Sequence, residues 1–444
     1  MSAPHEHRAE AHREAAAGGG GEGPPTDARG RRLDDGQPHL ERARRRDFVR
    51  HGWVHAGWLV GGAALGAGAV VLVGLFDVSA RDGHWPGVPW VLHTTYERSV
   101  DFRAPDAGAV PPLDDEGLVS LGASHFDQAC SQCHAAPGAL QSATLHAMLP
   151  APPHVVEAVE GWDPEHLFWI LKHGVKMSGM PHWPSRTRDD DVWSVVAFLE
   201  AVGSMDGERY LELARPPLGE PPDDPEADRA ADASVASIGA SVDATLAGCA
   251  ACHGLDGRSH ANPHVPRLDL QSEAWLAATL RAYRADERHS GIMQHAASTL
   301  SDEDVGRLAA HYARAGGRAR VASAGADAAP DTASDGASPD ERAGLVAEGR
   351  RLATAGDARR PACASCHGPW PHPITERYPR LAGQHEAYLL TQLRLWKGGT
   401  RGGTELARMM HEVAPTLDER ETRALAAFYA ELDPGAAIPP APRP

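Results

Sequence analysis

The distribution of apolar residues along the chain separates one long continuous stretch from many short periodic ones. Residues 56–76 (AGWLVGGAALGAGAVVLVGLF) contain no charged side chain over 21 positions. A helix of that length spans about 30 Å, the thickness of the hydrocarbon core of a bilayer. Further along, apolar residues recur at helical spacing, and three such segments begin with acidic clusters at 189–191, 302–304 and 418–419. Acidic clusters are typical of helix N-termini, so the pattern predicts one transmembrane helix followed by an all-α region.

The charges that flank the apolar stretch indicate how it is oriented. Five arginines precede it and two aspartates follow it: Arg42, Arg44, Arg45, Arg46 and Arg50, then Asp77 and Asp82. Because basic residues remain on the cytoplasmic side of a membrane, we expect a single-pass anchor in the inner (cytoplasmic) membrane. Its N-terminus would be cytoplasmic and the rest of the chain periplasmic. Val78-Ser79-Ala80 resembles a cleavage site, so a cleaved signal is the alternative.

The six cysteines of the chain occur in three boxes of the form Cys-x-x-Cys-His. The boxes comprise Cys130, Cys133 and His134; Cys249, Cys252 and His253; and Cys363, Cys366 and His367. This spacing lets two thiols on one helical turn form thioethers with a heme, while the adjoining histidine binds its iron. A redox dithiol needs no histidine, and half of a zinc site needs a second cysteine pair close by. We therefore expect three covalently bound hemes c, each with one iron.

The spacing of the boxes and the shifts in composition define the domain organisation. Successive boxes begin 119 and 114 residues apart, which fits three domains in a chain of 444 residues. The predicted segments are a disordered cytoplasmic tail (1–52), the transmembrane helix (53–77), a juxtamembrane spacer (78–112), heme domain 1 (113–210), a linker (211–232), heme domain 2 (233–317), a linker (318–339), heme domain 3 (340–433) and a tail (434–444).

Net charge limits the class of partner. The formal net charge is −17, and because binding of phosphates requires a basic face, we expect no nucleic acid partner. Only three of the 43 basic residues are lysines. The chain therefore lacks a ring of lysines for docking an acidic protein, and a basic or neutral redox partner is the better expectation.

Each domain has a methionine at a fixed distance before its last amphipathic segment. Met180, Met293 and Met410 stand 17 positions before Ala197, Ala310 and Ala427, respectively. They follow the box histidines by 46, 40 and 43 residues, which leaves room for helices around a heme. Since a thioether is a common sixth ligand of heme iron, we predict that these three methionines complete the iron coordination.

Other side chains compete for this sixth position. Met177 and Met409 lie beside two of the predicted ligands, whereas Met293 is the only methionine of its domain. Histidines close in sequence leave bis-histidine ligation open as an alternative, namely His182, His295 and His411. The shared register favours Met180 and Met410 over their neighbours, because a second methionine nearby is more often a core residue.

A further repeated motif follows the second and third boxes. Pro266-Arg267-Leu268 precedes Gln271, and Pro379-Arg380-Leu381 precedes Gln384 at the same spacing. Domain 1 has a looser counterpart at residues 152–155, Pro-Pro-His-Val. A proline carbonyl at this place could accept the N–H of the proximal imidazole and fix its orientation. A rigid loop at the heme edge is the alternative interpretation.

These motifs together resemble class I cytochromes c. Domains 2 and 3 resemble the halves of tandem diheme bacterial cytochromes c, most closely through residues 378–384 (YPRLAGQ). Domain 1 resembles membrane-anchored bacterial cytochromes c through residues 133–138, 167–170 and 178–181. The resemblance implies all-α domains with His/Met iron and fairly positive reduction potentials, because a thioether favours ferrous iron. In such small domains the buried heme supplies much of the core.

The predicted function is single-electron transfer by a membrane-anchored triheme cytochrome in a periplasmic respiratory chain. Its donor would be a dehydrogenase or quinol oxidoreductase, and its acceptor a terminal oxidase or a soluble carrier. The alternative is the cytochrome subunit of a membrane-bound alcohol or sugar-acid dehydrogenase complex. An enzyme such as a peroxidase would need an open iron position, and the chain has no nucleotide-binding glycine loop or second redox-cofactor motif. We therefore expect no catalytic residues of its own.

Overall fold

The computed structural model describes residues 28–29, 37–216, 244–259, 262–322, 338–369 and 375–434. They belong to two compact units, residues 1–79 and 80–444. Most of the predicted N-terminal tail, the central parts of both linkers and nearly all of the C-terminal tail lie outside the described residues. Within the second unit, domains 1, 2 and 3 denote the described parts of 80–216, 244–322 and 338–434.

Over its described residues, the first unit contains one long helix, α1 (Gln37–Val73). Its stretch Arg44–Val73 has a mean hydropathy of 1.9 and is long and apolar enough to cross a membrane. The helix begins well before the predicted start at residue 53, so residues 37–52 are helical rather than an irregular tail. Arginine is a good helix former, and the arginine-rich segment continues the helix instead of interrupting it.

Domain 1 is built from eight α-helices and one short 3-10 turn. They are α2 (Val88–Arg103), the 3-10 turn (Ala104–Ala107), α3 (Glu116–Ala129), α4 (Ser131–His134), α5 (Ala143–His146), α6 (Val155–Ala158), α7 (Pro164–His173), α8 (Asp189–Val202) and α9 (Gly207–Ala214). Helix α2 lies within the predicted spacer, but Val100 is fully buried and the ring of Tyr96 meets Trp162 edge-on at 5.6 Å. The later part of the spacer therefore packs on domain 1 through side chains such as Tyr96 and Val100, whereas Trp85, Trp90 and Phe102 are exposed.

Domains 2 and 3 each combine helices of 12 or more residues with shorter ones. Domain 2 has α10 (described over 244–253), α11 (Glu273–Arg284), α12 (Gly291–Ala297) and α13 (Asp302–Ala322). Domain 3 has α14 (Pro339–Ala355), α15 (Ala364–His367), α16 (Glu386–Lys397), α17 (Arg408–Val413) and α18 (Glu419–Glu431), with two 3-10 turns at Glu405–Ala407 and Ala414–Thr416. Over the described ranges there is no β-strand, only one antiparallel bridge between Arg288 and Gly402. The predicted all-α fold is confirmed.

Helix starts follow the acidic clusters as predicted. α8 begins at Asp189 and α13 at Asp302, and α18 follows Asp418, whose side chain accepts a hydrogen bond from the backbone N–H of Glu421. Helix ends differ from the predicted domain ends, because α9 runs to Ala214 and α13 to Ala322, inside the predicted linkers.

Close helix crossings form the cores of domains 1 and 3. A Cβ on Gly122 of α3 would lie 2.0 Å from the carbonyl oxygen of Ser194 in α8, and a Cβ on Gly349 of α14 would lie 2.0 Å from that of Ala424 in α18. Only glycine allows the two backbones to approach so closely. Around the first crossing pack the rings of Phe126 and Phe198, 5.1 Å apart.

Candidate heme-binding sites

Each cysteine box occupies the end of a short helical segment. In the first and third boxes the first cysteine is the N-cap residue of α4 or α15 and the histidine is its last residue, and the second box ends α10. All six thiols are free and partly buried. Burial, together with the partner thiol, raises the pKa of Cys130 and of Cys249 to about 11. A redox dithiol needs a lowered thiol pKa, so this environment favours the thioether interpretation over the redox one.

The zinc alternative also lacks support. Among the residues that the structure describes, no group of three His, Cys, Asp or Glu side chains converges to hold a metal ion. A structural zinc site requires four such ligands. Each box therefore stands alone as a pair of thiols beside one imidazole.

The three box histidines make the same hydrogen bond. The Nδ1 atoms of His134, His253 and His367 lie 2.9, 3.1 and 2.9 Å from the carbonyl oxygens of Pro153, Pro266 and Pro379, respectively. The predicted proline contact is thus present in all three domains, including domain 1. Because a carbonyl only accepts, each Nδ1 carries the proton and each Nε2 keeps a lone pair for iron. Burial lowers the pKa of His253 to about 4, which favours the neutral imidazole that binds metal.

The predicted sixth ligands lie on three different local structures. Met180 follows α7 in a loop, where its backbone N–H donates to Ser178 Oγ at 3.1 Å. Met293 lies on α12 and Met410 on α17. All three side chains are partly buried. The structure therefore supplies a sheltered thioether in each domain, and the coordination itself stays a prediction.

The competing methionines have other surroundings. Met177 is 96 % exposed and has a φ of 61°, so it lies at the surface of its loop. Met409 is 49 % exposed, and its Sδ lies 3.7 Å from the hydroxyl of Tyr378. Tyr378 directly precedes the proline that binds His367, so Met409 stays a competitor of Met410 in domain 3.

Each of the three competing histidines contacts a neighbouring residue. The Nδ1 of His182 lies 2.7 Å from the carbonyl oxygen of Trp183, and the ring of His411 meets Trp396 at 4.8 Å. The His295 ring lies 5.9 Å from that of His125 in domain 1. In the box histidines a carbonyl at Nδ1 leaves Nε2 for iron, so these contacts do not decide against histidine and bis-histidine ligation stays an alternative.

Two buried arginines, one in domain 2 and one in domain 3, have no carboxylate partner among the described residues. Arg288 is 5 % exposed and Arg401 is 8 % exposed. Arg288 bonds the hydroxyls of Thr279 and Tyr388, and Arg401 bonds the amide oxygen of Gln392. Within the described residues these partners are neutral, and neither arginine forms an ion pair with a carboxylate. Burial and then the charge of Arg288 lower the pKa of Arg401 to about 9.

These orphaned charges fit heme. A buried cation normally has an anionic partner, and each heme carries two propionate groups. Two buried hydroxyls also have no hydrogen-bond partner within the described residues, those of Tyr312 in α13 and Tyr429 in α18. The ring of Tyr312 lies 6.4 Å from that of His253. The residues present are therefore suited to a heme in domains 2 and 3, and Arg288 and Arg401 are the groups that would hold propionates.

Domains 2 and 3 join through a reciprocal pair of glutamines beside the proximal prolines. Gln271 bonds the backbone N–H and C=O of Arg380 at 3.0 and 2.9 Å. Gln384 bonds the backbone N–H and C=O of Arg267 at 2.8 and 3.0 Å. The repeat Pro-Arg-Leu-x-x-Gln was visible in the sequence, but its role in joining two domains was not. The presence of the same motif in two domains was the one sequence feature that could have indicated this joining role.

Domain 1 contacts domain 2 at and near the cysteine box of domain 2. The amide nitrogen of Gln128 in α3 lies 3.9 Å from the Sγ of Cys252. Asn262 donates to the carbonyl oxygen of Gly117 at 2.8 Å, and His264 Nε2 lies 2.9 Å from Asp115 Oδ2. Sequence reasoning did not identify these contacts, because no repeat or spacing links a residue of one domain to a single residue of another.

Comparisons with known proteins identify two matching families and several similar proteins. Residues 117–199 match the family of cytochrome c oxidase, cbb3-type, subunit III, and residues 240–313 match the cytochrome c family. The thiosulfate dehydrogenase electron acceptor of Thiomonas intermedia is 34% identical over 186 residues, covering 41% of this chain and 78% of the relative. Cytochrome c4 of Pseudomonas aeruginosa is 32% identical over 203 residues, covering 45% and 91%. The crystal structure of reduced recombinant cytochrome c4 from Pseudomonas stutzeri aligns over 44% of this chain and 97% of its own at 26% identity, with a TM-score of 0.35.

The fold and the three boxes define a helical c-type cytochrome. With the relatives above, the chain belongs to the class I cytochrome c family. Its cytochrome c domains imply covalently bound heme c, and its relatives are electron-transfer proteins.

Proposed function

We propose that the chain is a membrane-anchored triheme cytochrome c that transfers single electrons in a periplasmic respiratory chain. The observation that carries the proposal is the threefold repetition of one proximal arrangement, a box histidine bonded to a proline carbonyl. Heme c supplies reversible one-electron chemistry at its iron when bound. The protein's own residues orient each imidazole, shelter a thioether and join the domains beside the boxes.

The domain contacts support a linear order of hemes. Gln128 lies two residues before Cys130 and contacts Cys252, so the attachment sites of hemes 1 and 2 adjoin at α3. The glutamines that join domains 2 and 3 bond the residues directly after Pro266 and Pro379, which hold the proximal histidines of hemes 2 and 3. We infer that heme 2 lies between heme 1 and heme 3 along the route of electrons.

The proposed iron ligands are His134 with Met180, His253 with Met293, and His367 with Met410. A six-coordinate iron has no open position for a substrate, so its chemistry is electron transfer through the heme edge. On this proposal the chain is a carrier rather than an enzyme. Weak binding of carbon monoxide by the reduced protein is expected, and strong binding at neutral pH would contradict it.

Heme content tests the number of sites. Denatured protein should retain its heme covalently, and pyridine hemochrome together with metal analysis should give three irons per chain, one for each box. Expression must include the full cytochrome c maturation machinery. Two irons or fewer per chain under those conditions would overturn the triheme proposal.

The membrane proposal rests on the apolar stretch Arg44–Val73 and on the arginines that precede residue 56. A reporter fused after Asp82 should be active only if it is a periplasmic reporter, and the mature chain should stay in the membrane fraction at high salt. A soluble product that begins near Arg81 would show that the segment is a cleaved signal.

A second function is that of an electron-accepting subunit in a dehydrogenase complex. The name of one relative, thiosulfate dehydrogenase electron acceptor, favours this candidate. Stopped-flow mixing should compare thiosulfate dehydrogenase, alcohol dehydrogenase and sugar-acid dehydrogenase, each with its substrate, as donors of electrons to the oxidised protein. A quinol oxidoreductase serves as the fourth donor. Rapid reduction by one dehydrogenase, with copurification in equal amounts, would support the subunit role over the free carrier.

A further inference from the structure

A buried carboxylate of domain 1 is bonded mainly to domain 2. Asp191 in α8 is 5 % exposed. Its Oδ2 accepts hydrogen bonds from the hydroxyl of Ser290 at 2.9 Å and from the backbone N–H of Gly291 at 2.8 Å. Its Oδ1 accepts from the guanidinium of Arg188 at 2.8 Å. The carboxylate therefore has a cation on its own side and two donors across the domain boundary.

Ser290 connects this carboxylate to the methionine helix. It is the N-cap residue of α12, and its Oγ accepts a hydrogen bond from the backbone N–H of Met293 at 3.2 Å. One hydroxyl thus accepts from Met293 and donates to Asp191. The backbone of the predicted sixth ligand of heme 2 is fixed by a two-bond chain that ends in domain 1.

The whole segment before Met293 is held by the same domain. The guanidinium of Arg188 donates to the carbonyl oxygen of His289 at 2.6 Å. Gly291 lies so close to Trp183 that a Cβ there would be 2.0 Å from its Nε1, and Ile292 packs against the core of domain 1. Four consecutive residues, 289–292, therefore have partners in domain 1.

We propose that Asp191 is a positioning residue for heme 2, holding Met293 at the iron from the neighbouring domain. The inference rests on the proposed function, in which Met293 is the sixth ligand. A thioether is a weak ligand, and it stays bound only while its segment is restrained. Domain 1 is thereby part of the heme 2 site as well as a carrier of its own heme.

The test replaces Asp191 by Asn, a side chain of the same shape. In this variant an N–H₂ donor replaces one of the two carboxylate oxygens, both of which accept hydrogen bonds in the parent protein. We expect the thioether-to-iron absorption band of one heme to weaken, carbon monoxide to bind reduced heme 2 at least tenfold faster, and its reduction potential to fall. Asp190→Asn is the matched control, because Asp190 also bonds Arg188 but forms no hydrogen bond with domain 2 within the described residues. That variant should retain the parent spectrum.

Two further variants separate the possible outcomes. Ser290→Ala removes only the connecting hydroxyl and should change the same three quantities in the same direction, which decides the matter if Asp191→Asn fails to fold. Met293→Ala tests the proposed function by itself, because an unchanged spectrum there would show that Met293 is not a ligand. Loss of the band in Met293→Ala with no change in Asp191→Asn and Ser290→Ala would overturn the positioning role.

Discussion

The methionine helices of domains 2 and 3 occupy matching places in the repeat but differ in support. α12 is capped by Ser290, and two of its residues, Gly291 and Ala297, are buried. α17 has no side-chain cap and no buried residue, and Met409 within it is half exposed. The difference arises because domain 1 packs against α12, whereas α17 has no comparable contact among the described residues.

This contrast shows that a repeated motif does not determine its environment. Both helices have a methionine at the same register before the last helix of the domain. Short helices with few buried contacts open at low free-energy cost, so α17 should open more readily than α12. If Met293 and Met410 are the sixth ligands, we therefore expect exchange to be easier at heme 3 than at heme 2.

The largest expected effect is loss of the ligand itself. Met293→Ala should make heme 2 high-spin and open to carbon monoxide, because domain 2 has no other methionine. Met410→Ala should leave heme 3 partly six-coordinate, since Met409 lies on the same short helix. Optical and electron paramagnetic resonance spectra of both variants measure the difference.

The double variant Met409→Ala/Met410→Ala is the control for this substitution. It should open heme 3 as completely as Met293→Ala opens heme 2. If Met410→Ala alone opens heme 3 fully, Met409 is unable to reach the iron and the idea of an exchangeable ligand in domain 3 is wrong.

A second expected effect is loss of the support of α12 in acid. His125 of α3 is buried against Trp183, 4.9 Å between ring centroids, and His295, 5.9 Å away. Burial, and then the neighbouring His295, lower the pKa of His125 to about 3 from an ordinary 6.5. The pKa of His125 is lower in the folded protein than in the unfolded chain. Its contribution to the free energy of unfolding is therefore complete above pH 6.5 and is lost as the pH falls towards 3.

Hydrogen exchange at residues 289–297 should therefore accelerate between pH 6.5 and 4, after correction for intrinsic exchange, while residues 408–413 show no such change. Each pKa unit corresponds to about 1.4 kcal/mol, so the effect on the domain 1 contact amounts to several kcal/mol. His125→Phe keeps a ring of similar size without a titrating group and should remove the acceleration. Equal acceleration in that variant would assign it to other groups.

Much of the architecture was predictable from local signals. Acidic clusters placed the starts of α8, α13 and α18, because charges near a helix N-terminus act within one turn. The boxes and the proline carbonyls were predictable because covalent attachment and imidazole orientation both require fixed short spacings. The helical arginine segment was missed because its polar composition was interpreted as disorder, although arginine is a good helix former. Helix α2 was missed because composition alone does not show that a proline-flanked segment has a packing partner.

The long-range contacts were not predictable for a different reason. Asp191 was interpreted only as part of a helix-start cluster, and its bonds to Ser290 and Gly291 span about 100 positions. The orphaned charges of Arg288 and Arg401 likewise appear only when burial is known. A single sequence contains no periodicity that encodes contacts between such distant residues. The contacts of Asp191 with Ser290 and Gly291 are also what distinguishes domain 2 from domain 3.

The smallest expected effect concerns these two arginines. Arg401→Gln removes a buried positive charge whose ring contact is Trp396 of domain 3, 4.3 Å from the guanidinium carbon. A nearby cation favours the ferrous form, so we expect the reduction potential of heme 3 to fall by about 30–60 mV, where 59 mV is tenfold in equilibrium constant for one electron.

Arg288→Gln should lower the potential of heme 2, because its guanidinium lies over Trp275 and Tyr283 of domain 2. Arg394→Gln is the matched control, since Arg394 is exposed and paired with Glu419, and it should shift neither potential. Spectroelectrochemical titration of the three variants measures these shifts. If Arg288→Gln and Arg401→Gln each lower the potentials of heme 2 and heme 3 equally, the two arginines act as one shared charge and do not distinguish domain 2 from domain 3.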